Sequence, residues 1–332
     1  MFWYTWLVKK YSVGGINMEP IFLHPYFREK IWGGNTLKTD FNFDLPSEKT
    51  GEAWVISGHQ NGQSTVTYPE EFRGQPFKNL FENNPELFGI EESKEFPLLI
   101  KILDAQSDLS VQVHPDDQYA KEHENDLGKT ECWYILSAEP GSTIVYGHHA
   151  QTEEEFNSLV KENRWDDLLR EIPVKAGEFY YVPHGTIHAI GGGITILETQ
   201  QSSDTTYRVY DYDRKDDQGN GRELHIEDSI TVSKIPHQDP QLSITEEKHD
   251  SSTVTHFLTN KFFSVYKWDV QEELIIDTPS NYTLGTVIDG SGQLFIDGKT
   301  YNLKKGAAFV LPKAINQVAV KGDVTLIVSN PE

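Results

Sequence analysis

The chain has 332 residues, enough for two ordinary domains, each with its own buried core. Its 51 acidic side chains outnumber 29 basic ones, for a formal charge of −22, and a field of that sign excludes nucleic acid and anionic membranes as expected partners. Aromatic residues make up 12% of the sequence, too many for a globally disordered polymer.

From the N-terminus, residues 1–17 read as an extension. The run Phe2-Trp3-Tyr4-Thr5-Trp6-Leu7-Val8 is apolar, but Lys9-Lys10 follows it, and no small-residue cleavage site appears, so it is not a signal peptide. A true start at Met18 is the favoured reading, with a membrane-touching or oligomerising segment as the alternative. No stretch of about eighteen apolar residues occurs, so no membrane span is expected. A weak helix is expected over 76–87. Strand-like runs then dominate, at 97–103, 110–114, 132–136, 143–146, 178–182 and 195–197, and again at 262–268, 282–288, 293–296, 307–311 and 324–328. Between them, Phe156, Leu159, Val160, Trp165, Leu168 and Leu169 share one stripe and predict a helix over 153–169. Many short strands with Gly-rich turns point to an antiparallel sandwich or jelly roll. The single cysteine, Cys132, permits no intramolecular disulfide and fits a reducing, cytoplasmic compartment.

A repeat sharpens the picture. Lys175 to Pro183 (KAGEFYYVP) resembles Lys304 to Pro312 (KKGAAFVLP), each with a Gly opening a strand and a Pro closing it six residues later. Aligned on the prolines, His188 falls opposite Gln317 and His184 opposite Lys313. Two related β-barrels are expected, the second without the histidine, with a boundary in the polar stretch 236–253.

The candidate chemistry starts at Gln112-Val113-His114-Pro115, where residues two apart on a strand share a face and can share an ion. Glu131 stands just ahead of the strand at 132–136, and His188 follows the turn Pro183-His184-Gly185-Thr186. Two imidazoles, a carboxylate and an amide oxygen suit one zinc ion with coordination left over. With a single anionic donor the bound ion keeps a charge near +1, which can polarise a carbonyl and stabilise an enediolate. The densest polar segment is 187–214, where Glu198, Gln200, Gln201, Ser202, Ser203, Asp204 and Arg208 follow the triple glycine Gly191–Gly193. Arg208 is the natural oxyanion or phosphate partner because its planar fork pairs bidentately. Lys101, Lys129 and Ser110 can supplement it, supplying the local positive charge that an acidic chain needs to hold a phosphorylated ligand.

These motifs, with Trp32-Gly33-Gly34, Gly51-Glu52-Ala53-Trp54, Lys129-Thr130-Glu131, His188-Ala189 and Tyr207-Arg208-Val209-Tyr210-Asp211, resemble the type I mannose-6-phosphate isomerases (phosphomannose isomerases) of the cupin superfamily. The likeness is to the short bacterial form and runs from about Met18 to the C-terminus. It implies a mainly β fold of two cupin/jelly-roll β-barrel domains with a few short helices. The expected division is an extension at 1–17, a catalytic cupin domain with the zinc site at 18–240, and a cupin-like barrel without metal ligands at 241–332. The family's zinc ligands match Gln112, His114, Glu131 and His188, its active-site arginine matches Arg208, and its lysine ahead of the ligand Glu matches Lys129.

The resemblance further implies interconversion of mannose 6-phosphate and fructose 6-phosphate through a cis-enediol by a monomer or homodimer. Gly-Lys-Thr-Glu replaces the Lys-Pro-Glu of longer members, and Ile190 stands where some have Tyr, which leaves the proton-shuttling base open. The candidates, in order, are Glu198, Lys129 and Asp204, and Glu198 has the alternative role of orienting a zinc-bound histidine. A metal-dependent cupin oxygenase and a non-catalytic sugar-binding cupin are the rival readings. The amide at Gln112 speaks against the first and the 198–208 cluster against the second.

Overall fold

The computed structural model describes residues 12–13, 16–17, 19–90, 95–215, 218–279 and 281–332. The apolar run at 2–8 and the alternative start at Met18 lie outside them. In chain order, β1 (Ser12–Val13) pairs with β2 (Ile16–Asn17), followed by β3 (Ile21–His24), β4 (Tyr26–Gly34), α1 (Thr36–Thr39), β5 (Thr50–Ser57) and β6 (Thr65–Tyr68). Helices α2 (Phe77–Asn83) and α3 (Pro85–Phe88) lead to β7 (Leu98–Ala105), β8 (Val111–Val113), α4 (Asp117–His123), β9 (Glu131–Ala138) and β10 (Thr143–His148). Next come α5 (Glu153–Lys161), α6 (Trp165–Leu168), β11 (Leu169–Pro173), β12 (Phe179–Val182), β13 (His188–Ile190), β14 (Ile194–Gln201), β15 (Tyr207–Tyr210) and α7 (Ile226–Val232). The last third is all strand: β16 (Thr245–His249), β17 (Ser252–Thr259), β18 (Phe263–Asp277), β19 (Thr283–Ile296), β20 (Lys299–Lys304), β21 (Ala308–Leu311) and β22 (Gln317–Pro331).

The mainly β architecture is the expected one, and its antiparallel sheets follow a jelly-roll plan. Among the described residues no sheet closes on itself, so neither unit is a closed barrel. The chain forms two compact units, a central one of Phe27–Trp54 with Pro97–Gln241, and a terminal one of the residues up to Tyr26 with Val55–Phe96 and Leu242–Glu332. Residues 55–96 thus group with the C-terminal third, because β3 hydrogen-bonds to β21 and β6 to β3.

In the central unit a six-stranded sheet (order β12-β9-β14-β7-β4-β5) faces a five-stranded one (β11-β10-β13-β8-β15). Trp133, Ile135 and Ile196 from the first meet Ile144, Tyr146 and Ile190 from the second in one buried cluster. The outer face of the smaller sheet carries Val111, Val113, Ala189 and Val209, which pack with Phe156, Leu159, Val160 and Leu168 of the helices. That is the stripe read from the sequence, but the helix is interrupted. Asn163 takes a left-handed conformation (φ 54°), which ends α5, and the chain turns from α6 into β11. At the start of α5 the Thr152 hydroxyl accepts from the amide of Glu155 at 3.2 Å, and three glutamates line the first turn, where the helix dipole favours them. The helix expected over 76–87 is likewise split, with Pro85 starting α3.

The terminal unit is one sheet in the order β16-β17-β18-β22-β19-β21-β3-β6, with β20 on β19. Runs read as separate strands at 282–288 and 293–296 join into β19, and 324–328 is the middle of the 15-residue β22. The repeat is structural as well: Gly177 (φ 91°) and Gly306 (φ 85°) make matching turns that any Cβ would strain, and each donates its amide at 2.9 Å, to Ile135 and Val287 respectively. Phe77, Phe81, Phe88, Phe96 and Tyr282 form a buried aromatic cluster in this unit, with the Phe81 ring 4.6 Å from Phe88 and 5.2 Å from Phe96. Phe81→Ala should therefore cost about 3–5 kcal/mol, read as a lower urea midpoint; an unchanged midpoint contradicts this packing.

Candidate metal and substrate site

Strand alternation decides what faces the space between the two central sheets. On β8, Val111 and Val113 point outward to the helices, so Gln112 points inward, and the next inward position is His114. On β13, Ala189 points outward and Ile190 inward, which turns His188 inward as well. Glu131 shares its face of β9 with Trp133 and Ile135, and Lys101 and Glu198 share theirs with Leu103 and Ile196. The polar side chains gather at one end of an apolar interior. Register completes the arrangement, with His188 opposite Gln112, Arg208 opposite Gln112 on its other side, and Glu198 opposite Lys101.

Three expected donors converge: the ligating atoms of His114, Glu131 and His188 lie within 4.8 Å of one another, all buried. His114 Nε2 is 3.4 Å from Glu131 Oε2, and His188 Nε2 is 3.5 Å from Glu131 Oε1. The Gln112 amide lies 3.3 Å from His188 Nε2, which brings the fourth expected donor to the same place. His188 Nδ1–H donates to the Thr186 carbonyl at 2.8 Å, so the Nε2 lone pair is the one aimed at the cluster. Among the described residues, both ring nitrogens of His114 are buried without a hydrogen-bond partner, and Glu131 Oε2 has the ionic contact of Lys129 Nζ at 3.2 Å in place of one. Orphaned polar atoms of this kind are costly unless something satisfies them, and a cation is what two imidazoles and a carboxylate suit. Burial, then the nearby Lys129 charge, holds His114 down at about 3, and burial lowers His188 too, so both rings are neutral and ready to donate lone pairs. Glu131 is pressed upward by burial, but Lys129 and His114 hold it well below the carboxylate range.

Around the donors sits a shell of fixed charge. Lys129 Nζ is 3.2 Å from Glu131, and Lys101 Nζ is 3.3 Å from Glu198 Oε1. The Trp133 indole N–H donates to both Glu131 Oε1 (3.0 Å) and Glu198 Oε2 (3.2 Å), tying the two carboxylates together. Burial and the neighbouring Glu131 charge raise the Glu198 carboxyl above its ordinary value. Arg208 Nε donates to Ser110 Oγ at 3.3 Å and its Nη1 to the Glu223 carbonyl at 2.8 Å. Arg208 and Ser110, two of the phosphate candidates, thus form a pair beside β8, Ser110 buried and Arg208 partly so.

Sequence reasoning missed Arg28, Lys30 and Trp133. Arg28 pairs with Asp204 at 2.8 Å and lies over the Trp54 ring, and Lys101 approaches that ring as well. With Lys101 and Arg28 beside it, Asp204 is held at about 2 despite burial, so it is a poor proton acceptor and a structural counter-charge. Alternation along Arg28-Glu29-Lys30 was the available signal, but β4 carries no apolar period strong enough to read. Cys132 is buried, and burial pushes its thiol upward, so it packs rather than reacts.

Glu52 accepts from Trp54 Nε1 at 2.6 Å and pairs with Lys30 at 2.8 Å. Burial opposes its charge, but Lys30 and Lys101 bring its carboxyl down to about 2 from an ordinary 4.5. A folded value below the unfolded one stabilises above the unfolded value and is lost as pH falls toward the folded one. That difference is worth roughly 3 kcal/mol near neutrality. Glu52→Gln should lower the unfolding free energy by about 2–3 kcal/mol at pH 7 and flatten its fall between about pH 5 and 2, measured by denaturant titration at each pH. Equal pH slopes in the two proteins contradict the assignment.

Comparisons with known proteins agree with this geometry. Residues 21–156 match the family described as "Phosphomannose isomerase type I, catalytic domain", and residues 253–331 match "Mannose-6-phosphate isomerase, cupin domain". A mannose-6-phosphate isomerase of Streptococcus mutans is 49% identical over 316 residues, covering 94% of this chain and 98% of that protein. ManA of Bacillus subtilis, another mannose-6-phosphate isomerase, is 45% identical over 313 residues, with 94% and 99% covered. The crystal structure of a Bacillus subtilis mannose 6-phosphate isomerase superposes with a TM-score of 0.90 at 46% identity, covering 94% of this chain and 99% of that one. A putative mannosephosphate isomerase from Archaeoglobus fulgidus shares the fold at 19% identity, with a TM-score of 0.75 and 96% and 100% covered. Matched over most of its length by both domain families and by relatives near half identity, the chain belongs to the type I phosphomannose isomerases.

Proposed function

We propose that this enzyme interconverts mannose 6-phosphate and fructose 6-phosphate through a cis-enediol, with one zinc ion held by Gln112, His114, Glu131 and His188. The observation that carries the reading is the convergence of the buried His114, Glu131 and His188 donors within 4.8 Å, with both His114 ring nitrogens lacking a hydrogen bond among the described residues. When bound, zinc supplies Lewis-acid polarisation of the sugar carbonyl at a net charge near +1, since Glu131 is the one anionic donor. The chemistry belongs to the central unit, within the expected catalytic span of 18–240, which supplies all four proposed ligands.

The chain's own residues then handle the proton. From mannose 6-phosphate a base removes the C2 proton, a proton returns to C1, and the O2 hydroxyl proton is lost as O1 gains one. Glu198 is the favoured base: it is buried, burial and the Glu131 charge raise its carboxyl above the ordinary value, and its Oε1 faces the Lys101 ammonium at 3.3 Å. Lys101 and Trp133 hold its two oxygens in place. Lys129 is bound up with Glu131, which keeps it protonated, so its role is to offset charge rather than accept a proton. Arg208, Ser110 and Lys101 are the groups for the phosphate or the developing oxyanion, and they give an acidic chain a local positive field.

Chelation should abolish mannose 6-phosphate turnover in a coupled assay and added zinc should restore it; activity that survives metal removal sinks the metal reading. His188→Ala should lose both zinc, measured by metal analysis, and activity, whereas loss of activity with zinc unchanged overturns its place as a ligand. Glu198→Gln should keep its zinc and lower kcat by about 10²–10⁴-fold, and an unchanged kcat would remove Glu198 as the base.

A further inference from the structure

The repeat extends well beyond its turns. Val182 pairs with Glu131 in the central unit, and Leu311, at the same place in the repeat, pairs with Thr283. His188 pairs with Gln112, and Gln317 pairs with Asp277. Farther along, Thr199 lies opposite Cys132 and Ile100, as Ser329 lies opposite Leu284 and Val265. One step from there, Glu198 pairs with Lys101 and Val328 with Tyr266. The metal donors Gln112, His114, Glu131 and His188 therefore correspond to Asp277, Pro279, Thr283 and Gln317, and the Lys101–Glu198 pair corresponds to Tyr266–Val328.

A cavity of about 530 Å³ lies at that position in the terminal unit, and Asp277, Pro279, Gln317, Tyr266 and Val328 all line it. This volume is in the range of small-molecule sites. The lining has changed its chemistry in a consistent way. Both imidazole donors are gone, so the central unit's ion cannot be held here. The lysine–glutamate pair has become a phenol and an aliphatic side chain. Among the described residues no lysine or arginine lines the cavity, while Glu247 and Asp277 do, so a phosphate would be repelled.

What remains suits an uncharged polyhydroxylated ring. Trp268, Tyr266 and Val328 provide an apolar wall for the C–H face of a pyranose. Gln317 Nε2 donates to Asp277 Oδ1 at 2.8 Å, which leaves Asp277 Oδ2 and Gln317 Oε1 to accept from hydroxyls, and both residues are exposed at the cavity. His249 also lines the space, and its Nε2 is buried without a hydrogen bond among the described residues, 3.4 Å from Glu247 Oε1. We infer that the terminal unit carries a second ligand site, at the place in the repeated fold where the central unit holds its metal donors, and that it takes a neutral, unphosphorylated hexopyranose. The inference does not depend on the isomerase reading of the central site.

Methyl α-D-mannopyranoside and methyl α-D-glucopyranoside are suitable probes, because a locked pyranoside cannot open to become an isomerase substrate. Titrated into the full chain and followed by heat and tryptophan fluorescence, at least one should bind saturably, one per chain. Binding should persist in His188→Ala and weaken about tenfold or more in Gln317→Ala and in Asp277→Ala. Mannose 6-phosphate turnover in those two variants should match the unsubstituted enzyme, which also shows that they fold. No saturable binding of either glycoside overturns the proposal. So does binding that vanishes in His188→Ala but survives in Gln317→Ala, which would place the sugar at the metal site. Displacement of the glycoside by mannose 6-phosphate from His188→Ala would overturn its restriction to uncharged sugars.

Discussion

A carboxylate with no exposure to water organises the central unit. Glu131 lies between two neutral imidazoles, with Lys129 on one side and the Trp133 indole donating to Oε1. An ion in that position is several kcal/mol uphill unless every lone pair has a partner. The surrounding charges follow from that need. Trp133 shares its single proton between Glu131 and Glu198, Glu198 in turn takes Lys101, and Lys101 lies over the same Trp54 ring that Arg28 covers on its way to Asp204. Acidic as the whole chain is, the site interior alternates sign residue by residue.

This arrangement gives neighbouring carboxylates opposite charge preferences. The donors are neutral or strongly ionised because burial and Lys129 set them so, while the same burial beside the Glu131 charge raises Glu198. Two carboxylates joined through one indole are thus pushed in opposite directions, which the proposed division into ligand and base requires. Lys129, ion-paired with Glu131, is pushed upward and stays protonated.

The two units show one fold under different demands. Where the central unit places imidazoles and paired charges, the terminal unit places Gln317, Pro279, Tyr266 and Val328 at matching register. Backbone pairing is preserved because it satisfies the ladder whatever the side chains are, and the inward positions are free to change. In the terminal unit those positions line a cavity.

Sequence alone determined the β class, the repeat at Gly177 and Gly306, and the residues that converge as candidate metal donors, because residue type and strand period are local properties. Gln112 and His114 were legible from their two-residue spacing, and Glu131 and His188 from their places at strand starts. The helical stripe of 153–169 was legible as a buried face but not as two helices, since one left-handed Asn163 outweighed the periodicity. Only the tertiary structure decided that Arg28, 176 residues away in sequence, would neutralise Asp204, or that one Trp133 proton would join two carboxylates. It alone placed 55–96 with the C-terminal third, through the pairing of β3 with β21 and β6. Those outcomes rest on register between distant strands, where shifting by a single residue turns every side chain to the other face, and no local pattern encodes which distant strand will be the partner.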